Sequence, residues 1–312
     1  MGLVLLLAGV TLLALPGAAR RLGQRLQPAE WARLSLISLV VGAVAAEAAL
    51  VLMAAPTALR AAGVHMLAAA CERVLRPLTP GGPGTAWAST AAAILVPALA
   101  AVGAVRARRT QRHSHIEPWL GRHASRGDHD LVVLPTATPL AVAVGGAHPQ
   151  IVISEGLEEA LSPGELEAVL RHEAAHLTHS HHRYLLCAGA VDQAFGWIPF
   201  ARRSTKVLRV ALERWADEAA AGTAPGPRAE VRSALLEVTR ALVDPALATF
   251  SAAETLIERL DALDGTPPRP SILHRAAVYC PYLASGAAVV VALGFWVGQA
   301  QAVVAMAGRC PA

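Results

Sequence analysis

The stretch of sequence that decides the fold runs from Ser162 to His176 and reads SPGELEAVLRHEAAH. Serine suits the N-cap of a helix and proline its first position, and the glutamate three residues after the serine completes a capping box. Apolar residues then recur at helical spacing, which predicts one buried face. The residues of that face are Leu166, Val169, Leu170, Ala174 and Leu177. The stretch therefore predicts a well-capped amphipathic helix.

Two histidines and a glutamate in the second half of this helix have the spacing of a zinc site. His172 and His176 are four residues apart, so their imidazoles lie one turn apart and can hold one ion. Glu173 can reach a water molecule at that ion and take its proton. The same pattern arises by chance in about one chain in fifty of this length. The alternative reading is a solvated helix on which the histidines occur by chance.

A second acidic motif downstream offers the remaining ligand. Catalytic zinc has three protein ligands and one open position. In the run ERWAD, Glu213 is our candidate for the third ligand, and Asp217, one turn later, can orient a ligand from behind. By themselves these residues could be ordinary acids on a helix surface. Joined to the first motif, they predict one zinc ion per chain.

The composition indicates a membrane protein. Apolar residues make up 54% of the 312 residues and charged residues 16%, with a mean hydropathy of +0.44. A soluble domain usually carries about 25% charged residues. The net charge of +4 comes from arginines beside apolar runs, which fits the positive-inside rule better than binding to nucleic acid. We therefore expect contact with the lipid bilayer and no direct nucleic-acid partner.

Four apolar runs are candidate membrane spans. Arginines cluster at 20–33 and 106–112, on the side that holds the segment between the third and fourth runs. The positive-inside rule makes that side cytoplasmic and leaves both termini outside, although arginines in the loop at 60–85 oppose this bias. The predicted spans are residues 3–19, 34–59 and 86–105, within a membrane region at 1–106, and a fourth from 282 to 307, within a C-terminal region at 277–312.

The segment between these regions, residues 107–276, is predicted to be the catalytic domain. It begins with short β-strands and is helical afterwards. The apolar segment at 184–200 is short and contains polar residues, so we interpret it as buried or interfacial. The predicted fold is a mainly α membrane protein with four transmembrane helices and an α+β metallopeptidase domain with a small sheet. Its strands are predicted at 131–134, 140–144 and 150–153.

Other potential ligands leave alternatives open. His179, His181 and His182 follow the zinc motif, and solvated histidines at a helix end are a more common arrangement than a second metal site. Cys71 and Cys310 would meet outside the membrane in this topology, although isolated thiols remain the simpler reading.

The motif helix at 165–176 resembles that of the membrane gluzincin metallopeptidases. Two groups fit: the HtpX and CaaX-processing proteases, and the BlaR/MecR-type signal-transducing peptidases. The acidic run at 213–217 is similar to the second helix of both groups. The stretch FGWIPF at 195–200 and the four-span layout are similar to the BlaR/MecR type. The resemblance implies a zincin-like domain in which the aligned His172, His176 and Glu213 bind zinc and Glu173 is the base.

Two departures limit this resemblance. The BlaR type carries an antibiotic-binding domain after its last span, and this sequence ends at Ala312, so β-lactam sensing is not carried over from the resemblance. The HtpX-like group has a His-Pro pair before a downstream arginine, whereas Arg269 precedes the proline here. Arg269, His274 and Arg275 are therefore candidates for oxyanion or substrate contact, with juxtamembrane anchoring as the alternative.

The predicted function is an integral-membrane zinc endopeptidase that cuts a regulatory protein, either a repressor or a membrane-bound regulator, in signal transduction. Its partners are then a protein or peptide substrate and the cell membrane. A strand at 140–144 or 150–153 could hold the substrate at a sheet edge. One alternative is an HtpX-like quality-control protease, and another is a catalytically silent receptor or scaffold.

Overall fold

The protein is described by a computed structural model that covers most of the chain. Most of the described residues are helical, and they include one four-stranded sheet. The described residues are 2–75, 83–113, 121–126, 129–146, 148–222, 225–242, 250–265 and 269–307. Cys310 lies outside them, so the pairing considered for Cys71 is not tested.

The elements follow one another as helices, then the sheet, then helices again. The first helices are α1 (Gly2–Ala18), α2 (Arg20–Gly23), α3 (Pro28–Ala61), α4 (His65–Leu75) and α5 (Pro83–His113). The strands are β1 (Arg122–Arg126), β2 (His129–Leu134), β3 (Ala141–Val144) and β4 (Gln150–Ser154). The remaining helices are α6 (Glu155–Ala160), α7 (Pro163–Thr178), α8 (His181–Phe195), α9 (Pro199–Ala221), α10 (Pro225–Leu242), α11 (Phe250–Asp264) and α12 (Ile272–Ala307).

Among the described residues, three helices are long and apolar enough to cross a membrane. They cover Pro28–Ala61, Gly84–Arg109 and Ile272–Gln301. The helix α1 is also apolar, but its 17 residues span only about 26 Å, slightly less than the roughly 30 Å of a hydrocarbon core. The sequence predicted four spans, so the first of them stays a prediction.

The helix α1 packs closely along α3. Gly9 and Gly42 lie at their crossing, where a Cβ built on either glycine would be 2.8 Å from the other residue's carbonyl oxygen. The hydroxyl of Ser38 donates a hydrogen bond of 2.6 Å to the carbonyl of Leu12. Small residues thus let the two backbones touch, as in many membrane helix pairs.

The sheet has the strand order β1-β2-β4-β3. The strands β2 and β4 run parallel, and the other two pairs are antiparallel. All three predicted strands are confirmed with slightly different bounds, whereas β1 was not predicted. The strand β4 is paired on both sides and fully buried, so it cannot accept a substrate strand. That half of our substrate-binding hypothesis is wrong, and β3 is the available edge.

The motif helix α7 begins as predicted. The backbone N–H of Glu165 donates to the hydroxyl of Ser162 at 3.4 Å, and the N–H of Ser162 donates to the Glu165 carboxylate at 2.9 Å. Leu170 and Leu177 are buried against the sheet and the helices α9 and α10. The capping box and the apolar face therefore fix both the start and the rotation of the helix that carries the histidines.

The helices α8 and α9 join the part that contains the sheet and α7 to the long apolar helices. One hydrophobic core contains residues of α1, α3, α8, α9 and α12. At Gly103 of α5, an added Cβ would be 2.7 Å from the carbonyl oxygen of Gly189 in α8, so these helices are in backbone contact. The segment at 184–200 is not among the candidate spans and packs against them, in agreement with our buried or interfacial interpretation.

Candidate metal centre

The two sequence motifs meet where α7 crosses α9. The Nε2 atoms of His172 and His176 are 3.1 Å apart. Carboxylate oxygens of Glu213 lie 3.6 Å from Nε2 of His172 and 3.7 Å from Nε2 of His176. Among the described residues, these three form the one group of metal-binding side chains that could hold an ion together.

The donor set fits a zinc ion. Bonds of 2.0–2.1 Å in a tetrahedron place neighbouring ligand atoms about 3.3 Å apart. The closest distances between the three groups, which end on either oxygen of Glu213, lie on both sides of that value. The histidine side chains are 14% and 15% exposed, whereas Glu213 is 36% exposed, so the cluster opens on one side. Two nitrogens, one carboxylate and an accessible face are what a catalytic zinc site requires.

The charges of the three groups are strongly coupled. Burial favours neutral His172, but hydrogen bonds to Asp217 and Glu213 outweigh it and raise its pKa to about 10. Burial lowers the pKa of His176 to about 4. Although burial acts against it, His172 together with Arg259 lowers the pKa of Glu213. A proton on His172 thus supplies positive charge at the place where a metal cation would bind.

Asp217 contacts the side of the His172 ring that faces away from the cluster, and Arg259 holds Asp217 in place. A carboxylate oxygen of Asp217 is 3.0 Å from Nδ1 of His172, which leaves Nε2 of that ring directed at the cluster. Arg259 of α11 donates two hydrogen bonds to Asp217, of 2.8 and 2.7 Å, and its Nη1 is 3.2 Å from Glu213. Sequence reasoning missed Arg259, because its partner Asp217 lies 42 residues away and α11 reads as an ordinary amphipathic helix.

The cations singled out from the sequence lie elsewhere. Arg269 is exposed. The ring of His274 contacts the carbonyl of Leu22 at 2.8 Å, and Arg275 is 3.6 Å from Glu30. The contacts of His274 and Arg275 are therefore with the start of α3 and the segment before it, and both the catalytic and the anchoring interpretations stay predictions.

The general base candidate lies between the cluster and the sheet edge. Glu173 accepts a hydrogen bond from the backbone N–H of Ala143 in β3. Burial raises the pKa of Glu173, while His172 and this hydrogen bond act in the opposite direction. A carboxylate with a raised pKa is better matched to proton transfer near neutral pH.

His181 corrects an expectation from the sequence. It is only 1% exposed, and its Nδ1 is 2.9 Å from Nδ1 of His176. The backbone turns sharply at Ser180, with φ of 53°, so that α8 begins at His181 and its ring lies 4.8 Å from that of Trp215. Solvation was therefore the wrong expectation for this residue. The described histidines at 179–182 form no second metal group.

Replacing His181 by alanine should weaken zinc binding by about 10- to 100-fold. When Nε2 of His176 serves as a ligand, its Nδ1 carries the proton and donates a hydrogen bond to Nδ1 of His181. The alanine variant loses this acceptor. The amide oxygen of His181→Asn can accept the same hydrogen bond, so this variant should recover part of the zinc affinity. Zinc affinity is measured by competition with a chromophoric chelator, with the neighbouring His182→Ala as the control. Equal affinity in His181→Ala and the unaltered protein would contradict this role.

Comparison with known proteins agrees with this geometry. Residues 106–239 match the model of Peptidase family M48. A stretch of 75 residues is 36% identical to the Protease HtpX homolog of Methanocaldococcus jannaschii. It covers 21% of this chain and only 26% of that relative. No solved structure matches. Together with the apolar helices, these findings support a membrane-type M48 metallopeptidase, and the BlaR/MecR type stays a prediction.

Proposed function

We propose that this chain is a zinc-dependent membrane endopeptidase that binds one zinc ion through His172, His176 and Glu213. The observation that carries the proposal is the convergence of three metal-binding side chains, whose closest donor atoms are 3.1 to 3.7 Å apart, beside Glu173. Two helices supply them, and Asp217 fixes the tautomer of one ligand. The match to Peptidase family M48 supports the same chemistry.

Each residue then has a distinct role in peptide hydrolysis. Zinc, when bound, supplies Lewis-acid polarisation of the carbonyl and of water at neutral pH. Glu173 takes the proton of the attacking water and returns it to the leaving amine. Asp217 orients His172, and Arg259 holds Asp217 in place.

The edge strand β3 is the proposed binding place for an extended substrate. In the described part of the sheet it is paired only with β4, and it packs against α7. Its Ala143 donates to Glu173, so a peptide added along β3 would pass beside the base. Backbone hydrogen bonds would give affinity without requiring a particular sequence.

Zinc content and proteolysis test the proposal together. Purified full-length protein in detergent should contain one zinc ion per chain and cut casein, and 1,10-phenanthroline should stop the cleavage. Protein that holds no zinc at micromolar metal, or cleavage that persists after metal removal, would contradict it.

Arg259→Met should reduce kcat/KM by about tenfold or more, because the buried carboxylate of Asp217 loses both hydrogen bonds from the guanidinium and keeps only its contact with His172. The pKa values of Asp217 and Glu213 should then rise, and the acidic limb of the pH–activity profile should move to higher pH. Arg259→Lys should recover part of this shift. A loss of activity with an unchanged pH profile would indicate a merely structural role.

We further propose that the substrate is a regulatory protein and that the catalytic part faces the cytoplasm. The helices α1, α3, α5 and α12 would be the four spans, with arginines at the catalytic end. An HtpX-like quality-control role is equally consistent, since the curated relative is an HtpX homolog. A neighbouring gene for a winged-helix repressor would favour regulation, and induction by heat stress would favour quality control.

A further inference from the structure

A basic cleft lies between α9 and α11 at the end of α1. It is a cavity of about 380 Å³ outside the metal centre. Of the eight described residues that line it, four are cationic and none is acidic. The cationic residues of this basic cleft are Arg20, Arg202, Arg203 and Lys206.

The cleft combines several sources of positive charge. Arg202, Arg203 and Lys206 are exposed on the first two turns of α9, whereas Arg20 pairs with Glu258 at 2.8 Å. Three cations on one short helical segment repel one another, and a multivalent anion would relieve that repulsion. Arginine and lysine side chains are also the usual partners of phosphate oxygens.

The start of α9 adds to this attraction. Pro199, its first residue, lines the cleft, and the N-cap Ile198 makes no side-chain capping bond. The positive end of the helix dipole therefore lies at the cavity, where it favours an anion. Val207 and Val210 line the other part and give the cleft an apolar wall beside its charges.

The cleft lies at the level where the apolar helices end. The N–H of Gly17, in the last turn of α1, donates to the hydroxyl of Ser204 at 2.9 Å. The helix α3 begins nearby at Pro28, and His274 at the start of α12 contacts the carbonyl of Leu22. With α3 and α12 as candidate spans and α1 as a predicted one, this end of the helices is where phospholipid headgroups would lie.

We propose that the basic cleft binds the phosphate headgroup of an anionic phospholipid. Its cations and the start of α9 would attract the phosphate, and its valines would contact the apolar part of the lipid next to the headgroup. The cleft also lies beside the ends of the apolar helices, where the membrane surface is expected. Clusters of about four or more Lys and Arg residues next to the cytoplasmic end of a membrane helix are suited to such headgroups.

A bound headgroup would also support the metal centre. Thr255 of α11 lines the cleft, and Arg259, one turn further along, holds Asp217 and Glu213. A ligand bridging α9 and α11 therefore keeps Arg259 docked. This consequence rests on the proposed function, whereas binding of the lipid does not.

The test uses the full chain in nanodiscs of phosphatidylcholine. Short-chain phosphatidylglycerol, short-chain phosphatidylcholine and inorganic phosphate are added separately, and binding is followed by native mass spectrometry. Hydrogen exchange of residues 255–264 reports the docking of α11. The test variant is Arg202→Gln with Lys206→Gln. The matched control is Arg108→Gln with Arg109→Gln, which removes two exposed arginines at the end of α5.

Phosphatidylglycerol is expected to bind and slow the exchange, and the cleft variant should lose about tenfold or more in affinity. The control variant should lose less than about twofold. The exchanged pair Arg202→Lys with Lys206→Arg keeps both charges and should bind normally, which separates charge from misfolding. Equal losses in both glutamine variants, or equal binding of phosphatidylcholine, would overturn the proposal.

Inorganic phosphate distinguishes the source of the anion. We expect it to displace the lipid only weakly, and full protection of α11 by phosphate alone would overturn the lipid assignment. Both readouts are independent of proteolysis. If the protein shows the lipid preference but no peptidase activity, the proposed function is refuted and the proposal of lipid binding in the basic cleft still stands.

Discussion

Glu173→Gln is expected to lower kcat/KM for casein by about 10³-fold while zinc remains at one ion per chain. Glutamine has nearly the same shape and keeps an oxygen for the N–H of Ala143, but it cannot take a proton from water. The ligands His172, His176 and Glu213 are unchanged, so the loss should appear in turnover and not in metal content. Activity and zinc are measured on the same preparation.

The matched control is Glu167→Gln on the same helix. Glu167 is 41% exposed and lies 3.6 Å from Arg171, outside the metal cluster. It should retain nearly full activity. If Glu173→Gln cleaves casein as fast as the unaltered protein, the enzyme function is refuted, and the silent receptor or scaffold becomes the better reading.

Glu213→Ala is expected to abolish stoichiometric zinc binding, with affinity reduced by at least about 100-fold. Only His172 and His176 would remain as ligands, and Arg259 would lose its contact with a carboxylate of the cluster. Proteolysis should disappear together with the metal. Added zinc should restore only a small part of it, because the missing ligand is not replaced.

Glu237→Ala serves as the control for this loss. Glu237 lies on α10, where it pairs with Arg240 at the surface. It should keep one zinc ion per chain. Retention of tightly bound zinc by Glu213→Ala would contradict the assignment of the third ligand and leave the pairing of the two motifs unexplained.

The parts of the structure that depend on local sequence were predictable. The capping box and the apolar spacing define α7, and the spacing of His172 and His176 follows from one helical turn. The contact of these histidines with Glu213 was also inferred, because zinc requires a third ligand. In each of these cases a local rule, for helix capping, helical spacing or the number of zinc ligands, limited where the residues could lie.

The parts of the structure that depend on tertiary contacts were not predictable from the sequence. The strand β1 reads RHASR, which lacks apolar alternation, and it is a strand only through pairing with β2. Arg259 and His181 reach the cluster through the docking of α11 and the turn at Ser180. Which strand forms the edge likewise depends on the order of the sheet, which no single strand encodes.

The packing of α9 against α1 would limit where the proposed peptidase can cut a substrate. Ser204 touches the last turn of α1, and Glu213 lies nine residues further along the same helix. Nine residues of α-helix measure about 14 Å, so Glu213 lies no further than about this distance along α9 from the level of Ser204. The helix α9 thus sets the distance between the end of α1 and the metal cluster. In the proposed peptidase, this distance would favour cleavage of segments held close to the lipid surface.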